Sequence, residues 1–416
     1  MLPIATLSLP YQQVYSCSEL FIYYVLACLF KLINYGVQAY AAYTNTYNNR
    51  QRNIIHEFQY DCKYLEYIYG DLHQLLLSEP IQSNDIISYY TNTTLRDYQL
   101  MDYYTNSTGG MHTLLKQPAL CDIGTLHQAA SILPAINMCS SNATSTRHGG
   151  GSTGITRVLE LGSGKGINTQ FIASNTNKNV HCIGIDLTEL HTKLATSSAK
   201  QNNITNCTFY TADYTKLNDI EYITAHTDIP SELMQPNTYD VIYSIESMCY
   251  INQPEQQLSL LSHITTLLKP NGTLIIIDGY RSDNFDSCNR YAQLAMRLAE
   301  FGYRCTSMPS KQQWITAASH TSNSSSSQLL LYDSIDLTDR ALPFWQEGRI
   351  GVRFLLYFWP LLRIIKSYIG DTAYNYLSMA TTAYSMELGS AEYGQLVFKK
   401  SNTGTHCNGT SNGVTH

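Results

Sequence analysis

The sequence predicts an α/β fold in the middle of the chain, a parallel sheet with helices on both faces. Between residues 157 and 283, short apolar runs alternate with amphipathic stretches, which is typical of βαβ units. The first apolar run leads directly into a glycine-rich turn and then into a helical pattern. At 416 residues the chain exceeds one such unit, so we expect further structured regions on either side.

Five apolar runs are the candidate strands, and one long helix is clearly bounded between the last two. Residues 255–268 place leucines and an isoleucine at helical spacing, and the sequence KPNG at 269–272 ends that helix with proline and glycine. The five predicted strands are 158–161, 181–187, 207–212, 239–245 and 273–278.

The regions that flank this core have weaker patterns. Residues 1–138 are predicted to be a helical N-terminal region, because Phe58, Leu65, Leu72 and Leu76 follow helical spacing. The other predicted regions are a flexible linker at 139–156, a helical cap and substrate region at 284–400 with a serine-rich loop at 319–327, and a disordered tail at 401–416.

Composition excludes several classes of function. The net charge is −6 and the 26 basic residues are scattered, so no basic stripe is expected to bind nucleic acid. The eleven cysteines show no CxxC pair, which predicts free thiols in a reducing, cytoplasmic compartment. The twelve histidines are far apart in sequence, so no metal site is expected. The oligomeric state stays open.

Two apolar stretches bear on membrane contact. Residues 20–33 form an apolar run shorter than the roughly twenty residues that cross a bilayer, and no secretory signal precedes it. Residues 352–366 combine many apolar side chains with three cations. Such a segment either packs on its own domain or lies at a membrane interface, so peripheral membrane contact and a lipid-like acceptor are both expectations.

The glycine-rich turn follows the first predicted strand. Gly162, Gly164 and Gly166 alternate there, which lets the backbone approach a ligand closely at the start of a helix. A dinucleotide-binding GxGxxG motif would need glycine where Ile167 stands, and the GxxxxGK phosphate-binding motif is absent. With these two motifs excluded, the pattern at the end of the first strand is an acid, Glu160, followed by the motif GxGxG.

This pattern, with the strand ends that follow it, resembles the class I S-adenosylmethionine-dependent methyltransferases over roughly residues 157–283. The sequences YDVI at 239–242 and LKPNGT at 268–273 also look like marks of that family. The resemblance implies a Rossmann-like methyltransferase sheet and S-adenosyl-L-methionine as the cofactor.

The resemblance also assigns cofactor contacts. It implies that the glycine loop wraps the methionine part, with Glu160 near its ammonium group. Asp186 would take the ribose hydroxyls, since a carboxylate can accept two hydrogen bonds. Asp213 would reach the adenine amine, beside Tyr214 as a stacking ring. Each acid taken alone also fits a helix cap or a surface group. The predicted cofactor-binding residues are Glu160, Gly162, Ser163, Gly164, Gly166, Asp186, Leu187, Asp213, Tyr214 and Ser244.

The sequence YSIESMCY at 243–250 resembles the corresponding segment of sterol, tocopherol and prenyl-diphosphate C-methyltransferases, and more loosely that of cyclopropane fatty acid synthases. Asp283 matches a frequent acid of the sterol and tocopherol enzymes. The resemblance implies a small hydrophobic acceptor of lipid metabolism, methylated at carbon. Glu246, Tyr250 and Tyr280 are the predicted catalytic residues, which would stabilise a carbocation by charge and by aromatic faces.

Other interpretations stay open at this point. Glu246 could instead bind loop amides and only shape the pocket. The protein could methylate oxygen or nitrogen of a natural product, or it could bind the cofactor as a catalytically silent regulatory protein. An NAD-dependent reductase is disfavoured by Ile167.

Overall fold

The computed structural model describes residues 54–77, 87, 89–93, 113, 115, 126–145, 154–323, 327–356, 363 and 373–402. Its centre is a seven-stranded sheet in the order β3-β2-β1-β4-β5-β7-β6. Strands β1 to β5 are parallel, whereas β7 is antiparallel to both β5 and β6. The strands are β1 Thr156–Leu161, β2 Val180–Asp186, β3 Cys207–Thr211, β4 Tyr239–Ile245, β5 Leu268–Arg281, β6 Ser327–Asp336 and β7 Ala391–Asn402.

The predicted α/β class is confirmed, and all five predicted strands are present. The helix predicted at 255–268 is also present, with a proline in its first turn. The described α-helices are α1 Ile54–Tyr69, α2 Leu72–Leu76, α3 His127–Ser145, α4 Ile167–Ser174, α5 Glu189–Gln201, α6 Ile220–His226, α7 Pro254–Leu267, α8 Arg290–Gly302, α9 Lys311–Ser319, α10 Thr338–Leu356 and α11 Ala373–Glu387.

The two faces of the sheet bury separate cores, because successive side chains of a strand point to opposite faces. On the first face, Tyr243 and Ile277 pack with Ile132 of α3 and Met296 of α8. On the second face, the strand residues Ile242, Leu274 and Ile276 pack with Leu261 of α7 and Trp314 of α9. The prediction of helices on both faces is therefore confirmed.

A third core joins the N-terminal helix α1 to α10 and α11. The Asp61 carboxylate of α1 is buried and accepts hydrogen bonds from Arg353 Nε at 2.8 Å and from Tyr384 Oη at 2.5 Å. Burial raises the pKa of Asp61 above its ordinary value, although the two partners oppose that increase. The described part of the N-terminal region is thus helical and is packed on the C-terminal helices.

The predicted helical cap at 284–400 is wrong in two places, because β6 and β7 belong to the sheet. The predicted linker at 139–156 is wrong at its ends, since α3 continues to Ser145 and β1 begins at Thr156. The first two residues of the predicted tail, 401 and 402, belong to strand β7, which ends at Asn402.

Several predictions fall on residues outside the described ranges. These are the apolar run at 20–33, the centre of the linker at 146–153, the middle of the serine-rich loop at 324–326, most of 357–366 and the tail from 403. Among the helices that are described, none combines the length and apolar character needed to cross a bilayer.

Candidate cofactor and acceptor site

The glycine loop after β1 has the backbone conformation that its sequence predicts. Gly162, Gly164 and Gly166 have φ values of 77°, 50° and 75°, a region that favours glycine. A Cβ atom at Gly162 would lie 2.4 Å from Ser247 Cβ, whereas a Cβ atom at Gly164 would meet nothing within 4 Å. The loop therefore packs tightly at Gly162 and faces open space at Gly164.

Asp186, at the end of β2, is hydrogen-bonded to the glycine loop. Its Oδ2 atom accepts the amide hydrogen of Gly164 at 2.8 Å, and its Oδ1 atom accepts that of Thr188 at 2.9 Å. His191 Nδ1 lies 3.4 Å from Oδ1. Leu187, the next predicted contact, is half-buried. The structure thus brings Asp186 and the glycine loop together, as expected.

Asp213 and Tyr214 follow β3. Asp213 caps a short 3-10 helix, because its Oδ1 atom accepts hydrogen bonds from Thr215 N at 3.0 Å and from Thr215 Oγ1 at 2.6 Å. The Tyr214 hydroxyl donates to the carbonyl oxygen of Ser247 at 2.7 Å, and burial raises its pKa well above the ordinary value. The Tyr214 ring lies beside the glycine loop, where a Cβ atom at Gly162 would be 3.8 Å from it.

Ser244 and Ser247 join the ends of β4 and β1. Ser244 Oγ lies 2.7 Å from Ser247 Oγ, which donates to the carbonyl oxygen of Leu161 at 2.8 Å. Ser247 also faces Gly162 and accepts the Tyr214 hydrogen bond. The sequence did not single out Ser247, although it directly follows the predicted Glu246.

Glu160 is buried beneath the loop on the first face, with 1% of its surface exposed. Its carboxylate accepts hydrogen bonds from Tyr243 Oη at 3.0 Å, from Asn168 Nδ2 at 3.3 Å and from Thr169 Oγ1. In this position Glu160 ties β1 to β4 and to the start of α4.

These features fit S-adenosylmethionine. Its ammonium group, ribose hydroxyls and adenine amine are hydrogen-bond donors, and carboxylates stand at the ends of β2 and β3 to accept them. The space above Gly164 leaves room for a ligand next to the backbone. In addition, Ser163 Oγ is buried without a hydrogen-bond partner among the described residues.

Glu246 directly follows β4 and, with Tyr250, Tyr303 and Tyr393, belongs to the group that we call the acceptor side, a candidate binding site for the acceptor. Its φ of 52° is left-handed, which is uncommon for a residue with a side chain. Its amide donates to the carbonyl oxygen of Ile277 at 2.8 Å. Its Oε1 atom accepts hydrogen bonds from the amide of Thr113 at 2.8 Å and from Tyr393 Oη at 2.6 Å. Glu246 is therefore held at both its backbone and its side chain.

A second carboxyl group, Asp278 of β5, supports the loop that carries Glu246. Its Oδ2 atom accepts the amide hydrogens of Met248 at 2.9 Å and Cys249 at 3.1 Å, and its Oδ1 atom accepts that of Gly279 at 2.8 Å. Burial raises the pKa of Asp278 to about 8, and the negative charge of Glu246 adds to the increase. The sequence analysis did not identify Asp278 as a site residue.

Tyrosines line the same side. The Tyr250 hydroxyl lies 2.6 Å from that of Tyr90 and donates to the carbonyl oxygen of Tyr303 at 3.1 Å. Burial raises the pKa of Tyr250 well above the ordinary value, so its hydroxyl keeps its proton at neutral pH. The Tyr303 ring in turn packs edge-on against Trp345, with ring centroids 6.0 Å apart.

Tyr280 does not join Glu246 and Tyr250. Its side chain lies in the second-face core with Trp314, and its hydroxyl donates to the carbonyl oxygen of Ile276 at 3.4 Å. Alternation along β5 explains this position, because residues 276 and 280 are an even number of positions apart. The predicted grouping of Tyr280 with the acceptor side is therefore corrected.

Residues 153–325 match the family model described as a methyltransferase domain. The chain carries a methyltransferase domain. The predicted family is thereby confirmed, as are the predicted enzyme class and its cofactor, S-adenosylmethionine. Among curated proteins, no sequence matches the chain significantly.

Solved structures of methyltransferases share the fold. A protein from Galdieria sulphuraria assigned as a sarcosine dimethylglycine methyltransferase is 14% identical, with a TM-score of 0.50 over 74% of this chain and 99% of its own. The cyclopropane synthase MmaA2 of Mycobacterium tuberculosis is 10% identical, with a TM-score of 0.55 over 77% of this chain and 99% of its own. The similarity of this methyltransferase to both extends well beyond the residues that match the family model.

Proposed function

We propose that this methyltransferase transfers the methyl group of S-adenosylmethionine to carbon of a small hydrophobic acceptor, of the lipid, sterol or isoprenoid type. The observation that carries the proposal is the position of Glu246. Its carboxylate follows β4 and lies on the side of the sheet where Tyr393 and the aromatic rings of Tyr250 and Tyr303 pack. An anionic group among aromatic rings suits an apolar molecule that becomes positively charged.

The cofactor side would hold the methyl donor through groups already in place. In this proposal the glycine loop and Ser163 surround the methionine part, with Glu160 beneath the loop. Asp186 and Leu187 receive the ribose, while Asp213 and Tyr214 receive the adenine. Ser244 sets the Ser247 hydroxyl against the loop, since the two hydroxyls are 2.7 Å apart.

When bound, S-adenosylmethionine supplies a methyl group on positively charged sulfur. An alkene acceptor provides the electron pair for the new carbon–carbon bond. The bond between sulfur and the methyl carbon breaks, and its electron pair remains on sulfur. The acceptor is left with a positive charge on the neighbouring carbon until it gives a proton to the Glu246 carboxylate. In this proposal Glu246 stabilises that charge, and the rings of Tyr250 and Tyr303 exclude water from it.

The test is methyl transfer from labelled S-adenosylmethionine to isoprenyl diphosphates, sterols, unsaturated phospholipids and total lipid extracts. The product is mapped by mass spectrometry and NMR. A new label on carbon supports the proposal. A labelled ether or amine would instead establish an oxygen or nitrogen methyltransferase. Cofactor binding without transfer to any acceptor would favour a silent regulatory protein.

A cytoplasmic location with peripheral membrane contact is part of the same proposal. Its support is the apolar segment 352–366, which carries three cations. Val352 and Leu356 are buried in the third core, so any membrane contact would use other residues of that segment. Flotation with anionic liposomes tests the contact, and absence of the protein from the floating fraction would contradict it.

A further inference from the structure

Glu246 belongs to a closed ring of hydrogen bonds with Thr113, Gln128 and Tyr393. Gln128 Nε2 donates to the carbonyl oxygen of Thr113 at 2.5 Å and to Tyr393 Oη at 3.2 Å. Tyr393 Oη and the Thr113 amide then both donate to Glu246 Oε1, at 2.6 Å and 2.8 Å. Each of these three partners is buried.

The direction of every hydrogen bond in the ring is determined by its chemistry. The carbonyl oxygen of Thr113 can only accept, so the nitrogen of the Gln128 amide must face it. The same nitrogen donates to Tyr393 Oη. A tyrosine hydroxyl has one hydrogen, and that of Tyr393 is therefore directed to Glu246. Gln128 thus orients the hydrogen that Tyr393 gives to the carboxylate.

The two side chains that hold Glu246, those of Gln128 and Tyr393, lie on regular structure. Gln128 lies in the first turn of α3, and Tyr393 lies on β7, paired with Gly279 of β5. The Tyr393 backbone is also held at both ends, since its amide donates to Thr338 Oγ1 at 3.0 Å and its carbonyl oxygen accepts from Leu337 N at 2.8 Å. Groups on packed helices and strands hold a geometry more closely than groups on loops.

We propose that Tyr393 and Gln128 are positioning residues, which fix the Glu246 carboxylate and keep it ionised so that it stabilises positive charge on the acceptor. This inference rests on the proposed function of Glu246. It adds that the acceptor site is completed by residues outside the matched 153–325, namely by α3 and β7.

The charges around Glu246 support this role. Among the described residues, Asp278, Cys249, Tyr303 and Tyr393 interact electrostatically with Glu246, and each of these four groups is an acid. Burial raises the pKa of Asp278, Tyr303 and Tyr393, and a hydrogen bond with Cys305 followed by burial raises that of Cys249, so all four hold their protons more firmly than in water. Hydrogen bonds from neutral donors such as Tyr393 favour an ionised carboxylate without cancelling its charge, which leaves that charge available to a cationic ligand.

The experiment measures how strongly the site prefers a cation to a neutral molecule of the same shape. The probes are N,N-dimethyldodecylamine, which is protonated at neutral pH, and 1-methoxydodecane, each titrated with S-adenosylhomocysteine present. We expect the wild type to prefer the amine. Tyr393→Phe should reduce that preference about tenfold, which corresponds to about 1.4 kcal/mol. Gln128→Leu should reduce it less, because Gln128 reaches Glu246 only through Tyr393 and Thr113.

The double variant Tyr393→Phe with Gln128→Leu should lose little more preference than Tyr393→Phe alone, since without the Tyr393 hydroxyl Gln128 reaches Glu246 only indirectly, through Thr113. Tyr239→Phe is the matched control. It removes a buried hydroxyl at the opposite end of β4, where that hydroxyl has no hydrogen-bond partner in the described part of the protein. The affinity for S-adenosylhomocysteine should stay unchanged in every variant.

The outcomes separate the two proposals. If the wild type does not prefer the amine, the cation-stabilising role of Glu246 is wrong, and the proposed function fails with it. If the wild type prefers the amine and Tyr393→Phe keeps the full preference, the positioning role alone is wrong. Equal losses of affinity for the amine, the ether and S-adenosylhomocysteine would show that the ring only supports the fold.

Discussion

The cofactor side of the site and the acceptor side differ in where their residues come from along the chain. On the cofactor side, Gly164 and Asp186 are 22 positions apart and lie on neighbouring strand ends. On the acceptor side, Glu246 is 133 positions from Thr113 and 147 from Tyr393. The cofactor side is therefore formed by residues of short sequence motifs. The acceptor side forms only when segments distant in the sequence have packed together.

The largest expected effect is on the cofactor side, at Gly162. In Gly162→Ala, the new Cβ atom would lie 2.4 Å from Ser247 Cβ, on a backbone with φ of 77°. Strain and overpacking each cost about 1–3 kcal/mol. We expect S-adenosylmethionine affinity to fall about a hundredfold or more, as measured by calorimetric titration. Gly154→Ala, where a Cβ meets nothing within 4 Å, is the control. Unchanged affinity would separate this loop from the cofactor.

The next largest effect is on the acceptor side. Glu246→Gln keeps the shape of the side chain but removes its charge, so we expect kcat to fall about 100-fold to 1000-fold. The affinity for S-adenosylmethionine should not change, which is the sharpest distinction between the two sides. Steady-state kinetics and calorimetry measure the two quantities, with the exposed Glu232→Gln as the control. Retained turnover would remove Glu246 from the mechanism.

Asp186→Asn tests the complementary case. The variant loses a charged acceptor for the ribose hydroxyls, so the cofactor should bind about 10-fold to 100-fold more weakly, or about 1.5–3 kcal/mol. At saturating cofactor, kcat should stay close to that of the wild type. Asp333→Asn, an exposed position on β6, is the control. A fall in kcat with normal cofactor affinity would mean that Asp186 does not belong to the cofactor side.

The last expected effect is on stability, through Asp278, and it is the smallest when counted per pH unit. Its pKa is about 8 in the folded protein and 3.8 as its ordinary value, so between these values the folded state holds a proton that the unfolded chain releases. The stability from this group is present below about pH 4 and is lost as the pH rises toward 8, by at most about 1.4 kcal/mol per pH unit. In urea unfolding experiments, the free energy of unfolding should decrease less with rising pH in Asp278→Asn than in the wild type. An equal slope of unfolding free energy against pH in both proteins would contradict this role of Asp278.

Much of the cofactor side could be predicted because its signals are short in range. Four of the first five strands, all except β3, are runs of mostly buried residues. The glycines after β1 adopt the left-handed backbone that their residue type takes without strain. Asp186 could be placed because the carboxyl ends of parallel strands meet at one edge of the sheet.

The acceptor side could be predicted only in part. Glu246 was found because it follows β4 within a motif. Tyr393 could not be placed, since its position depends on the pairing of β7 with β5, which the local sequence does not specify. Most of β6 is exposed, so it lacks the buried run that identifies a strand. The position of Tyr280 follows from its even spacing to Ile276, a signal that the family motif does not contain.

The place of β7 between β5 and β6 has a consequence for synthesis. Its two neighbours in the sheet leave the ribosome before it does, so β5 keeps an open edge and β6 has no partner in the sheet until residues 391–402 emerge. Open strand edges recruit other chains. Nascent or truncated products that end before β7 would therefore expose unpaired strand edges that can bind other chains. In the full-length chain, β7 covers these edges by pairing with both β5 and β6.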